Sequence, residues 1–414
     1  MTLVSRSPSW KWWVCGLLLL ASTINYMDRQ TLANAATRIT QEFGLNQEQY
    51  GNLEMVFGWA FAVGSLLFGF AVDRISVRWL YPAVLLLWSI VGFATGFVET
   101  YDGLLVCRTL LGLFEGGHWP CAIKTTQRLL AAPDRALGNG VLQSGTSIGA
   151  ILMPLLMRMM LTEAQGSWRF PFQLVGAIGV VWIVLWFALV SRNDFPTATS
   201  TAADPARRGP GIVSLMFSRR MLVLFVVVAA INTCWQTLRA WLPKFMMEGR
   251  GYAEAGTLYF NAGFYVATDI GCLGAGALAL WLTRRGTSVH SARVRVFLVC
   301  SLLCTLAAMV GLFPRGGALL VLLLLAGAGA LGVFPIYHAL SQEISAEHQG
   351  KVTGIASVAA WGIAPPAQKF FGRLVDRTGS FDLGFAVAGL LPLASFFVLW
   401  LFWNPPNRKR DATP

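Results

Sequence analysis

The chain has 414 residues, of which 55% are hydrophobic and 13% charged, with 16 tryptophans, 27 phenylalanines and a formal net charge of +12. No soluble domain of this size needs so much apolar side chain for its core, so the composition excludes an ordinary soluble protein and makes membrane spanning the default. The positive charge invites a nucleic-acid reading, which its distribution along the chain removes.

Crossing the hydrocarbon layer takes about 20 apolar residues in a helix. Runs of that kind cover residues 12–38, 50–72, 79–98, 103–126, 136–160, 170–191, 220–245, 256–283, 294–313, 317–341, 351–373 and 382–404, predicting twelve transmembrane helices. The first run follows Arg6 and Lys11 as a signal peptide would, but it is too long and leads straight into further spans, so it reads as a retained helix. With the N-terminus inside, the inner flanks carry most of the loop Lys and Arg, including Arg74, Arg78, Arg207, Arg208, Arg219, Arg220, Arg284 and Arg285. The outer flanks carry only Arg38, Arg158, Arg169, Lys244, Arg250, Arg315, Arg373 and Arg377. The positive-inside rule then puts both termini in the cytoplasm, and the basic excess is topology rather than nucleic-acid binding. The seven cysteines all fall inside these helices, so disulfides are not expected; Cys300 and Cys304, one turn apart, read as small packing residues.

Between Ser191 and Arg220 the hydrophobic run gives way to proline, alanine, threonine and arginine, the composition of a solvated linker. It divides the chain into residues 1–192, a linker over 193–219, and 220–414, with six helices on each side. The halves echo one another: "INYMDRQTL" from Ile24 is matched by "INTCWQTL" from Ile231, and "DRALGNG" from Asp134 by "HQGKVTG" from His348. The expected fold is therefore an all-α integral membrane protein of two pseudo-symmetric six-helix bundles, an architecture that places substrate at the midplane.

Charges within the runs carry the chemistry. Asp28, Arg29, Arg108 and Glu115 lie in the first half; Arg239, Asp269 and Lys369 lie in the second. Each Arg, Lys or Asp at a helix centre costs roughly 2.5–3.5 kcal/mol, so the four of the first half would cost on the order of 10 kcal/mol unpaired. They must pair, face water, or both. Arg108 and Glu115 are two turns apart on one helix face with Gly112 between them, and Asn25, Asp28, Arg29 and Leu32 form an i, i+3, i+4, i+7 stripe expected to face them across a cavity. One reading is an ion-pair cluster that only holds two helices together. The other is functional: Arg29 and Arg108 present planar forks to a carboxylate, while Asp28 and Glu115 exchange protons as their partners move. His118 could titrate, or could simply pack near the Pro120 bend.

These residues also carry a resemblance. "GFAVDRISVR", Gly69 to Arg78, resembles the loop signature of the major facilitator superfamily. "NYMDRQTL", "CRTLLGLFEGGHWPCAIK", "PDRALGNGVLQSGTSIGA" and "GRLVDRTGSF" resemble its anion:cation symporter branch, which includes bacterial hexuronate and galactonate transporters and vesicular glutamate and sialic-acid carriers. The resemblance implies a monomeric carrier of the bacterial inner membrane whose partners are a small anion, a proton and the lipid bilayer. It implies proton coupling at Asp28 and Glu115, and substrate binding by Arg29, Arg108, Tyr26, Asn25, Phe61, Thr146 and Trp361. Phe61 stands where sugar-acid members often carry a tyrosine, and Trp361 replaces a common asparagine. Gly69, Asp73, Arg74 and Arg78 would form a cytoplasmic gate, although Asp-Arg after a membrane helix can also be a plain topology anchor.

Proton-driven uptake of a sugar acid, a hexuronate or an aldonate, by alternating access is the leading functional expectation. Alternatives are another monocarboxylate, export, or a non-transporting solute sensor. An enzyme is not expected: no nucleotide-binding glycine loop, metal cluster or serine elbow is present in the sequence, and no cofactor or metal is implied.

Overall fold

The computed structural model describes residues 9–130, 134–191, 194, 216–341, 343–344 and 349–403. The linker expected over 193–219 lies almost wholly outside them. The described residues are helical with no strand. The helices are α1 (Trp10–Phe43), α2 (Gln47–Arg74), α3 (Val77–Thr95), α4 (Tyr101–Glu115), α5 (His118–Leu129), α6 (Arg135–Met160) and α7 (Arg169–Leu189). They continue as α8 (Arg219–Lys244), α9 (Glu254–Arg284), α10 (Val289–Thr305), α11 (Gly317–Ser341), α12 (Gln349–Thr378) and α13 (Asp382–Phe402). Short π and 3-10 turns extend α8 over Phe245–Gly249 and α10 over Leu306–Leu312.

Among the described residues nine segments are long and apolar enough to cross a membrane. The other three expected spans are α1, α4 with α5, and α12, each carrying charge within its apolar run, and they complete the twelve. The fourth span is broken at Gly116 and Gly117 because Pro120 has no N–H to give the Gly116 carbonyl. The Ser65 hydroxyl donates to that oxygen instead, at 3.1 Å. At the other end of the bundle, Gly44 takes φ +62° and closes α1 in the left-handed conformation that glycine tolerates best.

Close approach of helices in the first half rests on glycine. A Cβ on Gly145 would lie 2.2 Å from the Leu19 carbonyl oxygen and one on Gly149 2.3 Å from that of Thr23, so the Gly-x-x-x-Gly face of α6 lies directly on α1. Between α2 and α4 the same contact recurs: a Cβ on Gly112 would lie 2.3 Å from the Phe57 oxygen, and one on Gly116 2.6 Å from that of Phe61. These contacts fix a parallel register in which α4 residues sit opposite α2 residues about 55 positions earlier in the chain. Replacing Gly149 by Val should therefore force α1 from α6 and destabilise the protein by about 1–3 kcal/mol. Gly140, with open space around it, should accept Ala without loss. Thermal unfolding of both variants in detergent checks the contrast.

The chain forms two compact units. The first comprises Met1–Ala203 together with Ala240–Val266 and Pro365–Ser380; the second comprises Asp204–Arg239, Ala267–Ala364 and Phe381–Pro414. The second unit is built on an apolar core that includes Met221, Leu224, Phe297, Val333, Tyr337 and Phe396. There Gly329 brings α11 against α10, where its Cβ would lie 2.6 Å from the Cys300 oxygen. Cys300 and Cys304 are buried free thiols, as expected for packing residues, and the other five cysteines are free as well.

Candidate functional site

The intramembrane charges of the first half converge inside the first unit, packed against neighbouring helices. Asp28, Arg29, Arg108 and Glu115 are at most 4% exposed. The α1 stripe divides. Adjacent residues on a helix point about 100° apart, and here Arg29 turns to α4, its Nε donating to Glu115 Oε2 at 3.0 Å. Asp28 turns to α3, where a Cβ on Gly92 would lie 3.2 Å from its Oδ1. Neither Asp28 oxygen has a hydrogen-bond partner, and the fully buried Asn25 side chain and Trp88 indole N–H likewise have none.

Arg108 meets a carboxylate of a neighbouring helix. The glycine register places it opposite Glu54 of α2, with Nη2 3.7 Å from Oε1 and both side chains 1% exposed. Glu54 was not among the expected site residues. Its signal was nevertheless available, because it is the sole charged side chain in the run 50–72. Phe57, one turn along α2, lies under both guanidiniums, 4.3 Å from Arg108 and 5.2 Å from Arg29, and Phe61, another turn on, lies 4.6 Å from Arg29. Tyr26 covers Arg29 from α1 at 5.4 Å. Aromatic faces and carboxylates thus hold both arginines, two kinds of partner that suit a guanidinium.

The remaining expected residues are less tightly grouped. Thr146 Oγ1 donates to the Gln143 carbonyl of its own helix at 2.8 Å. Trp361 lies in the second unit, packed against that unit's apolar core. His118 is fully buried, with Nε2 3.0 Å from Ser22 Oγ and Nδ1 2.9 Å from Tyr81 Oη, so it bridges α1, α3 and α5. In the expected gate loop, Asp73 Oδ1 accepts from Lys124 Nζ at 2.5 Å and Arg78 Nε donates to the Val190 carbonyl at 3.1 Å. Arg74 is exposed, and a Cβ on Gly69 would meet nothing within 4 Å. Arg239 Nε donates to Gln236 Oε1 at 2.7 Å within the second unit.

The first unit also contains a collar of polar contacts that the sequence did not disclose. Asp376 of α12 accepts from the first backbone N–H groups of α2, Gln47 at 2.9 Å and Glu48 at 2.8 Å, where an anion is best stabilised by the helix terminus. Arg373 grips Glu48 with both Nε and Nη2, and Lys369 lies 3.5 Å from the same carboxylate. Arg38 makes a bidentate pair with Glu254 at 2.6–2.7 Å, and Lys244 donates to Glu248 at 2.5 Å and to Thr40 at 2.9 Å. Further along α1, Gln30 donates to Tyr265 Oη at 2.5 Å and Asn34 accepts from Asn261 at 2.8 Å.

Membrane-length spans with ion pairs buried among the first six fit a membrane transporter. The family model of the Major Facilitator Superfamily matches residues 18–367, and the chain belongs to that family. It is 23% identical over 405 residues to a hexuronate transporter of Escherichia coli K12, covering 94% of this chain and 93% of that protein. It is 27% identical over 413 residues to a hexuronate transporter of Bacillus subtilis, covering 96% and 95%. A probable sulfoacetate transporter of Cupriavidus necator is 26% identical over 412 residues, with 93% of each chain covered. Among solved structures, an inward-facing, unoccupied bacterial homologue of the human lysosomal transporter Spinster matches with a TM-score of 0.76 at 16% identity, covering 96% of each chain. A D-xylose–proton symporter matches with a TM-score of 0.72 at 14% identity, covering 94% and 97%. At these identities the structural matches speak for the fold alone.

Proposed function

We propose that this protein is a proton-coupled carrier of a small organic anion, most simply a sugar acid such as a hexuronate or an aldonate, working by alternating access in a bacterial inner membrane with both termini cytoplasmic. The observation that carries the reading is the pair of buried arginines, each held by a carboxylate and an aromatic face. Fixed positive charge at membrane depth is what a carboxylate substrate requires, and carboxylates able to take a proton are what release that charge to it. Transporters of hexuronate and sulfoacetate among the relatives are consistent with an anionic solute.

In this reading Arg29 and Arg108 receive the anion, with Asn25, Tyr26, Phe61, Thr146 and Trp361 lining its path, while Asp28 and Glu115 take up and release protons. Phe61 and Trp361 suit the face of a sugar ring better than its hydroxyls. The five buried charges are almost closed to solvent here, so binding requires a conformation in which water reaches them. The collar around the start of α2 is a set of contacts that can break for that purpose, and the loop with Gly69, Asp73, Arg74 and Arg78 serves the cytoplasmic side. Alternating access opens the site first to one side of the membrane and then to the other, and a monomer suffices.

Proteoliposomes with an inward proton gradient test this. Offered labelled D-glucuronate, D-galacturonate, D-galactonate and sulfoacetate, they should accumulate at least one above its external concentration. Binding without accumulation would instead identify a solute sensor.

A further inference from the structure

We propose that Glu54 is a third proton-coupling carboxylate, competing with the transported anion for Arg108. The inference rests on the proton-coupled reading above and adds to it a residue that the sequence motifs do not single out. Its starting point is a count. Three carboxylates, Asp28, Glu54 and Glu115, share the interior of the first unit with two guanidiniums, Arg29 and Arg108, and all five side chains are at most 4% exposed. Ionised together they leave one uncompensated negative charge, which a buried site does not sustain. Each guanidinium already has its carboxylate, Glu115 on Arg29 and Glu54 on Arg108, while Asp28 has no hydrogen-bond partner on either oxygen. The anion-free site therefore balances with one resident proton, and it has no spare positive charge for a substrate.

A monoanion that takes Arg108 must displace Glu54. What Glu54 then faces decides its fate. Tyr50 and Phe57 flank it on α2, both buried, with Phe61 beyond. Arg108 of α4 lies 3.7 Å from it, and Arg108 and Arg29 both lie over the Phe57 ring one turn along α2. One turn toward the start of α2, Lys244 lies 5.4 Å from the Tyr50 ring but is bonded to Glu248. From α12, the backbone at Gln368 packs on Gly51, and Lys369 and Arg373 are engaged by Glu48. With Lys244 bonded to Glu248, and Lys369 and Arg373 engaged by Glu48, the displaced carboxylate takes a proton, and the site then holds two protons and one anion with no net charge. The proton adds to a carboxylate oxygen of Glu54 as its contact with Arg108 breaks, and it leaves when the anion departs and the contact re-forms.

The sign of one mutant separates this role from simple positioning. Affinity for labelled D-glucuronate, or for the most strongly accumulated member of the panel above, is measured on purified protein from about pH 5.5 to about pH 8.5. Glu54→Gln removes the competitor, so it should bind about tenfold more tightly than wild type at the alkaline end, the scale of an arginine's hold on a neighbouring carboxylate. At the acidic end, where Glu54 is already protonated, the two should agree within a factor of about three. Glu54→Asp, which withdraws the carboxylate from Arg108 by one methylene, should shift the alkaline limb the same way by less, and serves if the glutamine variant does not fold. Parallel curves, or weaker binding by Glu54→Gln at every pH, would overturn the proposal and leave Glu54 a residue that only positions Arg108. Wild-type affinity indifferent to pH would instead remove the proton-coupled reading itself.

Discussion

Glu115→Gln should abolish accumulation against a gradient while leaving exchange of labelled for unlabelled anion across the same vesicles. Glu115 is fully buried and accepts from Arg29 Nε at 3.0 Å, so it directly holds a cation proposed to receive the anion. Glutamine keeps the volume and one acceptor oxygen but carries no exchangeable negative charge. The carrier is then fixed in its proton-loaded form: the loaded protein can still turn around, which is all exchange requires, but the empty protein cannot return after releasing a proton. Net uptake should fall by at least about two orders of magnitude, the scale set by removing one partner of a buried ion pair at about 3–5 kcal/mol. Counterflow within a few-fold of wild type is the matching expectation. Wild-type accumulation by this variant would take the proton-carrying role away from Glu115.

Arg29→Lys should weaken anion affinity by about tenfold or more with charge conserved. In this structure one guanidinium serves Glu115 through Nε while its plane lies among Phe57, Phe61 and Tyr26 at 4.6–5.4 Å. An ammonium ion is a compact point charge. It cannot present a two-point fork to a carboxylate while holding a second acid, and it stacks poorly on rings. The loss should appear as a raised half-saturation concentration for uptake. An unchanged value would mean that the anion meets Arg29 as a point charge only, or does not meet it.

Most of the fold was legible because a membrane helix announces itself through composition alone: the runs 317–341 and 136–160 lie within a residue of α11 and α6. The break in the fourth span was visible as Gly116, Gly117 and Pro120, although its remedy, the Ser65 hydroxyl, was not. The site was legible in part. Asp28, Arg29, Arg108 and Glu115 are improbable where they stand, and improbability shows in a sequence. Their partners are a matter of register. The α1 stripe points two ways because Asp28 and Arg29 are neighbours on a helix, and Arg108 reaches Glu54 because glycines set how α2 and α4 slide together. Glu54 lay early in its run, where an acid reads as a helix edge. The collar joins residues more than two hundred positions apart, such as Arg38 with Glu254 and Asp376 with Gln47, and no local pattern predicts such pairs.

That buried charge is kept for transport, rather than to hold helices together, is tested most directly by proton movement driven by the anion itself. Sealed proteoliposomes containing the protein and a trapped pH dye, with no imposed gradient, are given the accumulated sugar acid from outside. The account predicts acidification of the lumen in step with anion entry, lost with Glu115→Gln. Anion entry with the lumen at constant pH would contradict it.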